Sequence, residues 1–281
     1  MTAADRHRAG ARTVLVTGAS RGLGAATAAH LAAQGWRVYA AARRESALAH
    51  LRDTAAVGGH GDQIIPVPLD VSDSAATSAA LEQIPQPLDA VVCCAGLTAV
   101  RAFEDMVAAE FDGILDVNLR GVLAVTRAAL PGMRAAGRGH LIYVSSLAAV
   151  LPSPGVSAYA TSKAALETWA SCLRQELHPF DVQVAVLRAG TFRTQMLAAP
   201  EVSPHDSAYS AMYLALAAAA PRVERLGKDP QHFARSVAKI LNTSRPRLIT
   251  PTGPGSRVIP LFSALPRAVT EAVMRRAAGS Q

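Results

Sequence analysis

The 281-residue chain contains only three cysteines, Cys93, Cys94 and Cys172. An odd number with two adjacent members does not form a disulfide framework, and it favours reduced thiols in the cytoplasm. No Cys-x-x-Cys pair occurs and the eight histidines are dispersed along the chain, so the pattern offers no metal site. We therefore expect neither disulfide bonds nor a bound metal.

Charged residues are also sparse, at 17% of the chain, although the net charge is +7. The basic residues are scattered, and no zinc finger or RNA-binding motif accompanies them, so no nucleic-acid partner is expected. The uncharged stretch at 207–221 is shorter than the ~20 residues that span a bilayer, and Met1–Arg12 has no apolar signal core. These absences predict a soluble, cytoplasmic protein with a disordered tail at residues 1–12.

Half of the residues are hydrophobic, which is enough for one large core. From Thr13 to Leu187, short apolar segments alternate with helical ones, and this predicts a Rossmann-type, doubly wound parallel sheet covered by helices. No linker divides the chain, so we predict a single α/β domain over 13–281. It would include a helical substrate lid at about 195–230 and a C-terminal helical segment at about 256–278. Strands are predicted at 13–16, 36–42, 64–69, 88–94, 140–145, 182–187 and 247–250.

Three glycines, Gly18, Gly22 and Gly24, follow the first predicted strand and open the first predicted helix at Ala25. Glycine lets the backbone turn tightly and approach a pyrophosphate, which the helix N-terminus stabilises. The spacing is GxxxGxG, whereas most dinucleotide-binding proteins have GxGxxG. In this context it predicts a dinucleotide site at the carboxyl edge of the sheet, where ligands of such sheets bind.

The end of the second predicted strand indicates which dinucleotide binds. An NAD site usually carries Asp or Glu there to bind the ribose 2′-hydroxyl, but this chain reads Ala42-Arg43-Arg44. Arg43 and Arg21, which lies inside the glycine turn, could converge on a 2′-phosphate, because guanidinium groups match phosphate geometry. The pattern favours NADP(H).

A candidate catalytic group combines Ser146, at the end of a strand, with Tyr159 and Lys163 on the following helix. Tyr159 and Lys163 are four residues apart and therefore share one helix face. A free phenol has a pKa of about 10, and a nearby ammonium lowers it. Tyr159 could then act as general acid or base on a substrate oxygen, with Ser146 as a hydrogen-bond donor.

These motifs together resemble the short-chain dehydrogenase/reductase superfamily. The resemblance rests on TGASRGLG at 17–24, Asn118 in VNLRG, Ser146 and Tyr159-Ala-Thr-Ser-Lys163, and it covers about residues 12–195. Ser146 lies thirteen residues before Tyr159, as that family's site requires, and Ser145 is the second candidate for the catalytic serine. The resemblance implies that Lys163 binds the nicotinamide ribose and that Asn118 holds a proton-relaying water. It implies cofactor contacts at Gly18, Ser20, Arg21, Gly22, Leu23, Gly24, Arg43, Asp70, Val71, Ala95, Gly96, Tyr159, Lys163, Gly190 and Thr194.

Two positions depart from the family pattern. The usual Asn-Asn-Ala-Gly is Cys93-Cys94-Ala95-Gly96, and the usual Pro-Gly is Ala189-Gly190. We interpret both cysteines as packing residues. The resemblance further implies a homodimer or homotetramer built on the helices around 113–137 and 158–178.

The segment that would form the lid is rich in apolar side chains, which suits an apolar ketone or aldehyde and the corresponding alcohol. Those side chains are Met196, Leu197, Tyr209, Met212, Tyr213 and Leu214. The expected activity is therefore an NADP(H)-dependent interconversion of such a carbonyl compound and its alcohol. The alternatives are a non-catalytic NADP(H)-binding regulator, an epimerase or dehydratase, and an enzyme whose C-terminal segment lies on anionic lipid.

Overall fold

The computed structural model describes residues 12–197, 207–256 and 266–277. Its strands are β1 (Thr13–Thr17), β2 (Arg37–Ala42), β3 (Ile64–Pro68), β4 (Ala90–Cys93), β5 (Gly139–Ser146), β6 (Val182–Ala189) and β7 (Ile249–Thr252). All pairings are parallel, and the order across the sheet is β3-β2-β1-β4-β5-β6-β7. The order reverses between β1 and β4, so a crevice is expected beyond the carboxyl ends of these two strands.

Helices cover both faces of the sheet. They are α1 (Gly22–Ala33), α2 (Glu45–Val57), α3 (Ser74–Glu82), α4 (Ala108–Leu115), α5 (Gly121–Ala136), α6 (Ser157–Leu177), α7 (Ser210–Leu226), α8 (Pro230–Leu241) and α9 (Arg267–Ala277). On one face, α1, α2 and α8 bury Leu31, Leu48 and Phe233. On the other face, α3, α5 and α6 bury a second cluster that includes Leu81 and Leu166.

Burial on both faces explains the apolar strand sequences. Successive side chains of a strand point to opposite sides, so Val14 and Val16 join the first cluster and Leu15 joins the second. Because neither side faces water, the strands read as continuous apolar segments instead of alternating ones. The predicted Rossmann-type parallel sheet is confirmed.

Most deviations from the sequence expectations are at element ends. Helix α1 begins at Gly22, three residues before the predicted start, because the last two glycines of the turn belong to its first turn. Strand β7 runs over Ile249–Thr252 instead of 247–250. Residues 1–11 of the expected tail lie outside the described residues, and the guanidinium of Arg12 lies 4.1 Å above the Trp36 ring.

The expected lid and C-terminal segment are described in part. In the lid region the chain forms one 3-10 turn at Gln195–Leu197 and then α7, while residues 198–206 lie outside the described part. Of the C-terminal segment, α9 is described and 257–265 are not. Among the described helices, none is long and apolar enough to cross a bilayer.

Candidate active site

The predicted site residues follow the carboxyl ends of six strands. These ends meet at one edge of a parallel sheet, so the structure brings the residues together around the crevice between β1 and β4. The residues next to each strand end are Gly18 after β1, Arg43 after β2, Asp70 after β3, Ala95 and Gly96 after β4, Ser146 in β5, and Gly190 after β6.

The glycine turn is built so closely that side chains would not fit. Gly18 has φ +66°, and a Cβ there would lie 2.7 Å from the Cα of Ala95. A Cβ on Gly24 would lie 2.2 Å from the carbonyl oxygen of Gly18, closer than any real contact. Gly22, at φ +57°, faces Thr194, whose Cγ2 would lie 3.3 Å from such a Cβ. The turn and the loop after β6 thus enclose a narrow cradle.

The N-terminus of α1 adds hydrogen-bond donors to this cradle. The residue before the helix, Arg21, has extended backbone and its side chain does not cap the helix, and the first turn contains no acidic residue. The first amide groups of a helix lack partners within it and favour anions. Ser20 and Leu23 flank Arg21 and Gly22 in this turn. The cradle and the amides fit the pyrophosphate of a nicotinamide dinucleotide.

Gly24→Ala is expected to lower the free energy of unfolding by about 1–3 kcal/mol, because the new methyl group overlaps the Gly18 carbonyl and displaces α1. We also expect NADPH binding to weaken at least about tenfold, or 1.4 kcal/mol. Urea unfolding and NADPH fluorescence titration measure the two effects. Gly113→Ala in α4 is the matched control: no atom lies within 4 Å of its Cβ position, and it should gain about 0.5–1 kcal/mol. If Gly24→Ala and Gly113→Ala had the same stability and the same NADPH affinity, the assignment of the glycine turn as a pyrophosphate cradle would be refuted.

Charged groups follow β2 and β3. Arg43 is exposed, whereas Ala42 before it is buried. The Asp70 carboxylate accepts hydrogen bonds from the backbone N–H of Ser72 at 3.0 Å and from its hydroxyl at 2.7 Å. Burial would raise the Asp70 pKa, but these hydrogen bonds and the charge of Arg43 outweigh it, and the pKa is lowered. The helix cap of α3 is Asp73, so Asp70 is not needed for capping.

Tyr159 and Ser146 lie together at the carboxyl edge. The Ser146 hydroxyl is near enough to Tyr159 to lower its pKa as a hydrogen-bond donor, and it accepts the backbone N–H of Ala148 at 3.2 Å. The neighbouring Ser145 is 1% exposed, and its hydroxyl has no hydrogen-bond partner in the structure. Of the two candidate serines, Ser146 is therefore the one that contacts Tyr159.

Lys163 is almost fully buried beside Tyr159, with 4% of its surface exposed. Its ammonium donates to the carbonyl of Val144 at 2.9 Å and lies 5.6 Å from the centre of the Tyr159 ring. Burial lowers the Lys163 pKa to about 8, opposed by the nearby thiols of Cys94 and Cys93.

The expectation that Lys163 lowers the Tyr159 pKa is not met. Burial raises the Tyr159 pKa, and the hydrogen bond with Ser146 only partly opposes this rise. The physical reason is the placement of the ammonium, which bonds to the Val144 carbonyl and lies over the face of the ring. The phenol of Tyr159 therefore keeps its proton at neutral pH.

Asn118 is buried in a single turn of π-helix, Asp116–Arg120, between α4 and α5. Its Oδ1 accepts the N–H of Leu97 at 2.7 Å, and its Nδ2 donates to the Leu97 carbonyl at 2.9 Å and to the Ser162 hydroxyl at 3.0 Å. The side chain ties the loop after β4 to α6. The water relay implied by the family resemblance stays a prediction.

Three polar residues of the site were given no individual role by the sequence. The Thr17 hydroxyl accepts the N–H of Ala95 at 3.2 Å, and the Ser162 hydroxyl donates to the Tyr159 carbonyl at 2.7 Å. Gln195 accepts a hydrogen bond from Arg21 at 2.9 Å, across the cradle. Thr17 opens the motif TGASRGLG and Ser162 precedes Lys163 in its motif, but the partners of both become visible only in the fold.

The residues at the two positions that depart from the family pattern are closely packed. Cys93 belongs to the buried cluster under α5 and α6, and Cys94 packs against the opposite cluster. Burial raises the pKa of both thiols, that of Cys94 to about 12, so both stay protonated. At Ala189-Gly190, a Cβ on Gly190 would lie 2.0 Å from the carbonyl oxygen of Pro254, so glycine is required there.

Two tyrosines at the start of α7 form hydrogen bonds with the segment 102–105, which follows β4. The Tyr213 hydroxyl donates to Asp105 at 2.7 Å and accepts the N–H of Ala102 at 2.8 Å. Tyr209 donates to Glu104 at 2.8 Å.

The apolar residues expected in the lid differ in their surroundings. Met212 is buried, and its Cε and side-chain atoms of Leu216 and Val100 all lie within 3.6 Å of a Cβ built on Gly155. Leu214 is 65% exposed, and the side chain of Leu197 lies outside the described part. Met196 reaches Gly96, where its Cε would lie 3.7 Å from a Cβ. Met212 and Leu216 of α7 thus place apolar atoms around Gly155.

No three His, Cys, Asp or Glu side chains of the described ranges are grouped as a metal site would require.

Comparison with known proteins agrees with this geometry. The family model described as short chain dehydrogenase matches residues 12–203. The chain is 29% identical over 252 residues to a protein named 3-ketodihydrosphingosine reductase from Bacteroides thetaiotaomicron, covering 88% of this chain and 89% of that one. A solved short-chain dehydrogenase from Streptomyces avermitilis superposes with a TM-score of 0.80 at 30% identity, covering 95% and 97% of the two chains. A metagenomic short-chain oxidoreductase solved with NADP superposes with a TM-score of 0.69 at 27% identity, covering 86% and 96%.

Proposed function

Because the chain belongs to the short-chain dehydrogenase family of oxidoreductases that use a nicotinamide cofactor, we propose that it reduces apolar ketones or aldehydes with NADPH. The observation that carries this proposal is the placement of Tyr159, with Ser146 near it, beside the buried ammonium of Lys163 at the edge that also holds the glycine cradle. A proton donor and an anion cradle at one edge are what carbonyl reduction requires.

Each residue of the site has its own role in the proposed reduction. When bound, the nicotinamide cofactor supplies the hydride. Tyr159 gives its proton to the substrate oxygen, and Ser146 donates a hydrogen bond that orients this oxygen. Lys163 would hold the ribose hydroxyls, while Asn118 keeps the loop with Gly96 against α6. Gly190 and Thr194 would border the nicotinamide end, and Asp70 and Val71 the adenine.

The raised pKa of Tyr159 favours reduction over oxidation at neutral pH. Reduction needs the protonated phenol, which is the form that burial stabilises. Oxidation needs the phenolate to accept the alcohol proton, so its rate should rise as pH increases.

The preference for NADP(H) rests on Arg43 and Arg21 and on the absence of a carboxylate at Ala42. Arg43→Ala should weaken NADPH binding by about one to two orders of magnitude, because a hydrogen bond to a charged group contributes roughly 1.5–3 kcal/mol. NADH affinity should hardly change. The dissociation constants of both cofactors test this. Arg37→Ala, at the amino end of the same strand, is the control and should change neither. Equal weakening of NADH and NADPH by Arg43→Ala would refute the assignment.

The substrate proposal rests on the apolar side chains that α7 places near the start of α6. Met212, Leu216 and Val100 converge near Gly155, four residues before Tyr159. The relative named as a 3-ketodihydrosphingosine reductase is consistent with a ketone on a long apolar chain. NADPH oxidation against apolar ketones, aldehydes and acyl-thioester ketones tests the proposal. Cofactor binding without turnover of any of them would favour the alternative, a non-catalytic NADP(H)-binding regulator.

We further propose a single domain over 13–281 and a cytoplasmic homodimer or homotetramer assembled through α5 and α6. Light scattering during size-exclusion chromatography measures the assembly directly, and a monomer at micromolar concentration would refute it.

A further inference from the structure

A buried ion pair joins the helix that carries Tyr159 and Lys163 to strand β6. The Nε of Arg188 donates to Oε1 of Glu167 at 2.9 Å, and its Nη2 donates to Oε2 at 2.5 Å. The two side chains are only 11% and 10% exposed. This two-point geometry fixes both the distance and the orientation of the partners.

The location of the pair relates it to the site. Tyr159, Lys163 and Glu167 follow one another at intervals of four residues and so lie along one face of α6. Arg188 is the next-to-last residue of β6, two residues before Gly190 and six before Thr194. The pair therefore links the helix with the proton donor to the loop that would border the nicotinamide.

A second contact connects the same two elements. Arg174, two turns further along α6, donates to the backbone carbonyl of Val184 in β6 at 2.9 Å. With Glu167 and Arg188 it holds the helix at two points along the strand, which restricts both sliding and rotation of α6.

Stability alone does not explain a charge at position 188. Its neighbours on the same face of β6, Val184 and Val186, are fully buried apolar residues. Buried ion pairs carry a large desolvation penalty, and apolar replacements of similar volume often maintain or increase stability. A directional contact at this position instead defines where α6 lies.

We propose that Glu167 and Arg188 are a positioning pair for the reaction, setting the distance between Tyr159 on α6 and the cofactor loop after β6. The inference rests on the proposed function. Neither residue contacts the reacting atoms; they act through α6 and through the loop. Misplacement of a reacting group by about 1 Å can lower turnover 10²-fold, so a loss of roughly 10- to 100-fold in kcat is expected when the pair is removed.

The test compares three variants with the wild type. Glu167→Gln removes the charge and keeps the shape, and the double variant Glu167→Leu with Arg188→Met replaces the pair with apolar groups. Asp53→Asn, which removes an exposed ion pair with Arg52 on α2, is the matched control. For each protein, kcat per folded molecule, KM for the ketone, the NADPH dissociation constant and the deuterium isotope effect with labelled NADPH are measured.

We expect both pair variants to lose roughly 10- to 100-fold in kcat with a changed isotope effect, little change in the NADPH dissociation constant, and, for the double variant, an unchanged melting temperature. The control should match the wild type. Wild-type kcat in the folded double variant would overturn the proposal. Failure of both variants to fold would also overturn it, because the pair would then serve the fold. Tyr159→Phe is assayed in parallel as a separate test of the proposed function. If the proposed function is wrong, Tyr159→Phe stays active. If only the positioning role is wrong, Tyr159→Phe loses its activity.

Discussion

Tyr159→Phe is expected to lower kcat for ketone reduction at least about 10²-fold, the lower end for general acid–base catalysis. The variant keeps the ring and its packing but removes the only proton that Tyr159 can give to the substrate oxygen. The Ser146 hydroxyl loses its partner and cannot replace the phenol, because it can donate a hydrogen bond to the substrate oxygen but is too weak an acid to transfer its proton. The NADPH dissociation constant should stay within a factor of about three, or 0.6 kcal/mol.

Tyr143→Phe is the matched control for this prediction. Tyr143 is buried, and its hydroxyl shares a hydrogen bond of 3.0 Å with Thr126. Its loss should cost about 1 kcal/mol of stability and leave kcat unchanged. Steady-state and single-turnover rates of NADPH oxidation distinguish the variants. A Tyr159→Phe enzyme with near wild-type kcat, or a Tyr143→Phe enzyme that is equally impaired while folded, would contradict the assignment of Tyr159.

Lys163→Met is expected to lower kcat strongly and to stabilise the fold. The ammonium is buried at 4% exposure, and its pKa of about 8 shows that burial disfavours the charged form. At ~1.4 kcal/mol per pKa unit, the difference from the ordinary value of 10.5 corresponds to about 3 kcal/mol. Loss of the hydrogen bond to the Val144 carbonyl offsets about 1 kcal/mol. A net gain of about 2 kcal/mol in unfolding free energy at pH 7 should therefore accompany weaker NADPH binding and a kcat at least about 10²-fold lower.

The pH dependence of this effect has a definite sign. Between about pH 8 and 10.5, the unfolded chain binds a proton at Lys163 that the folded chain does not. Wild-type stability therefore gains a positive slope with pH in this window, because the cost of burying the charge disappears as the folded lysine deprotonates. The advantage of Lys163→Met should be full below pH 8 and small at pH 10.5. Urea unfolding of both proteins at pH 7 and pH 10 measures it, and a constant difference would show that Lys163 is not buried as a cation.

The sequence predicted the parts of the site that depend on spacing within one element or on the end of a strand. Tyr159 and Lys163 share a helix face because four residues complete about one turn, and Gly18 and Gly24 precede and open a helix whatever the rest of the chain does. The parallel sheet followed from uninterrupted apolar strands, and the carboxyl edge followed from the parallel sheet.

What could not be predicted depends on contacts between distant elements. Glu167 and Arg188 are separated by 21 positions, and in the sequence each resembles an ordinary surface charge. The direction of the Tyr159 pKa was missed for the same reason. Four-residue spacing places Lys163 near Tyr159, but only the packing of α6 on β5 directs the ammonium to the Val144 carbonyl. The sequence indicates that an ammonium lies near Tyr159, but the surrounding backbone determines which group the ammonium binds.

The amide of Asn118 has a consequence for the loop after β4. It offers Leu97 one acceptor and one donor, at 2.7 and 2.9 Å, which is the pair of groups that an adjacent strand would offer. The hydrogen-bond ladder of the sheet is in effect continued past Cys93 by a single side chain from another helix. We therefore expect the amide hydrogen of Leu97 to exchange slowly with solvent, as a sheet amide does, although its backbone is that of a loop.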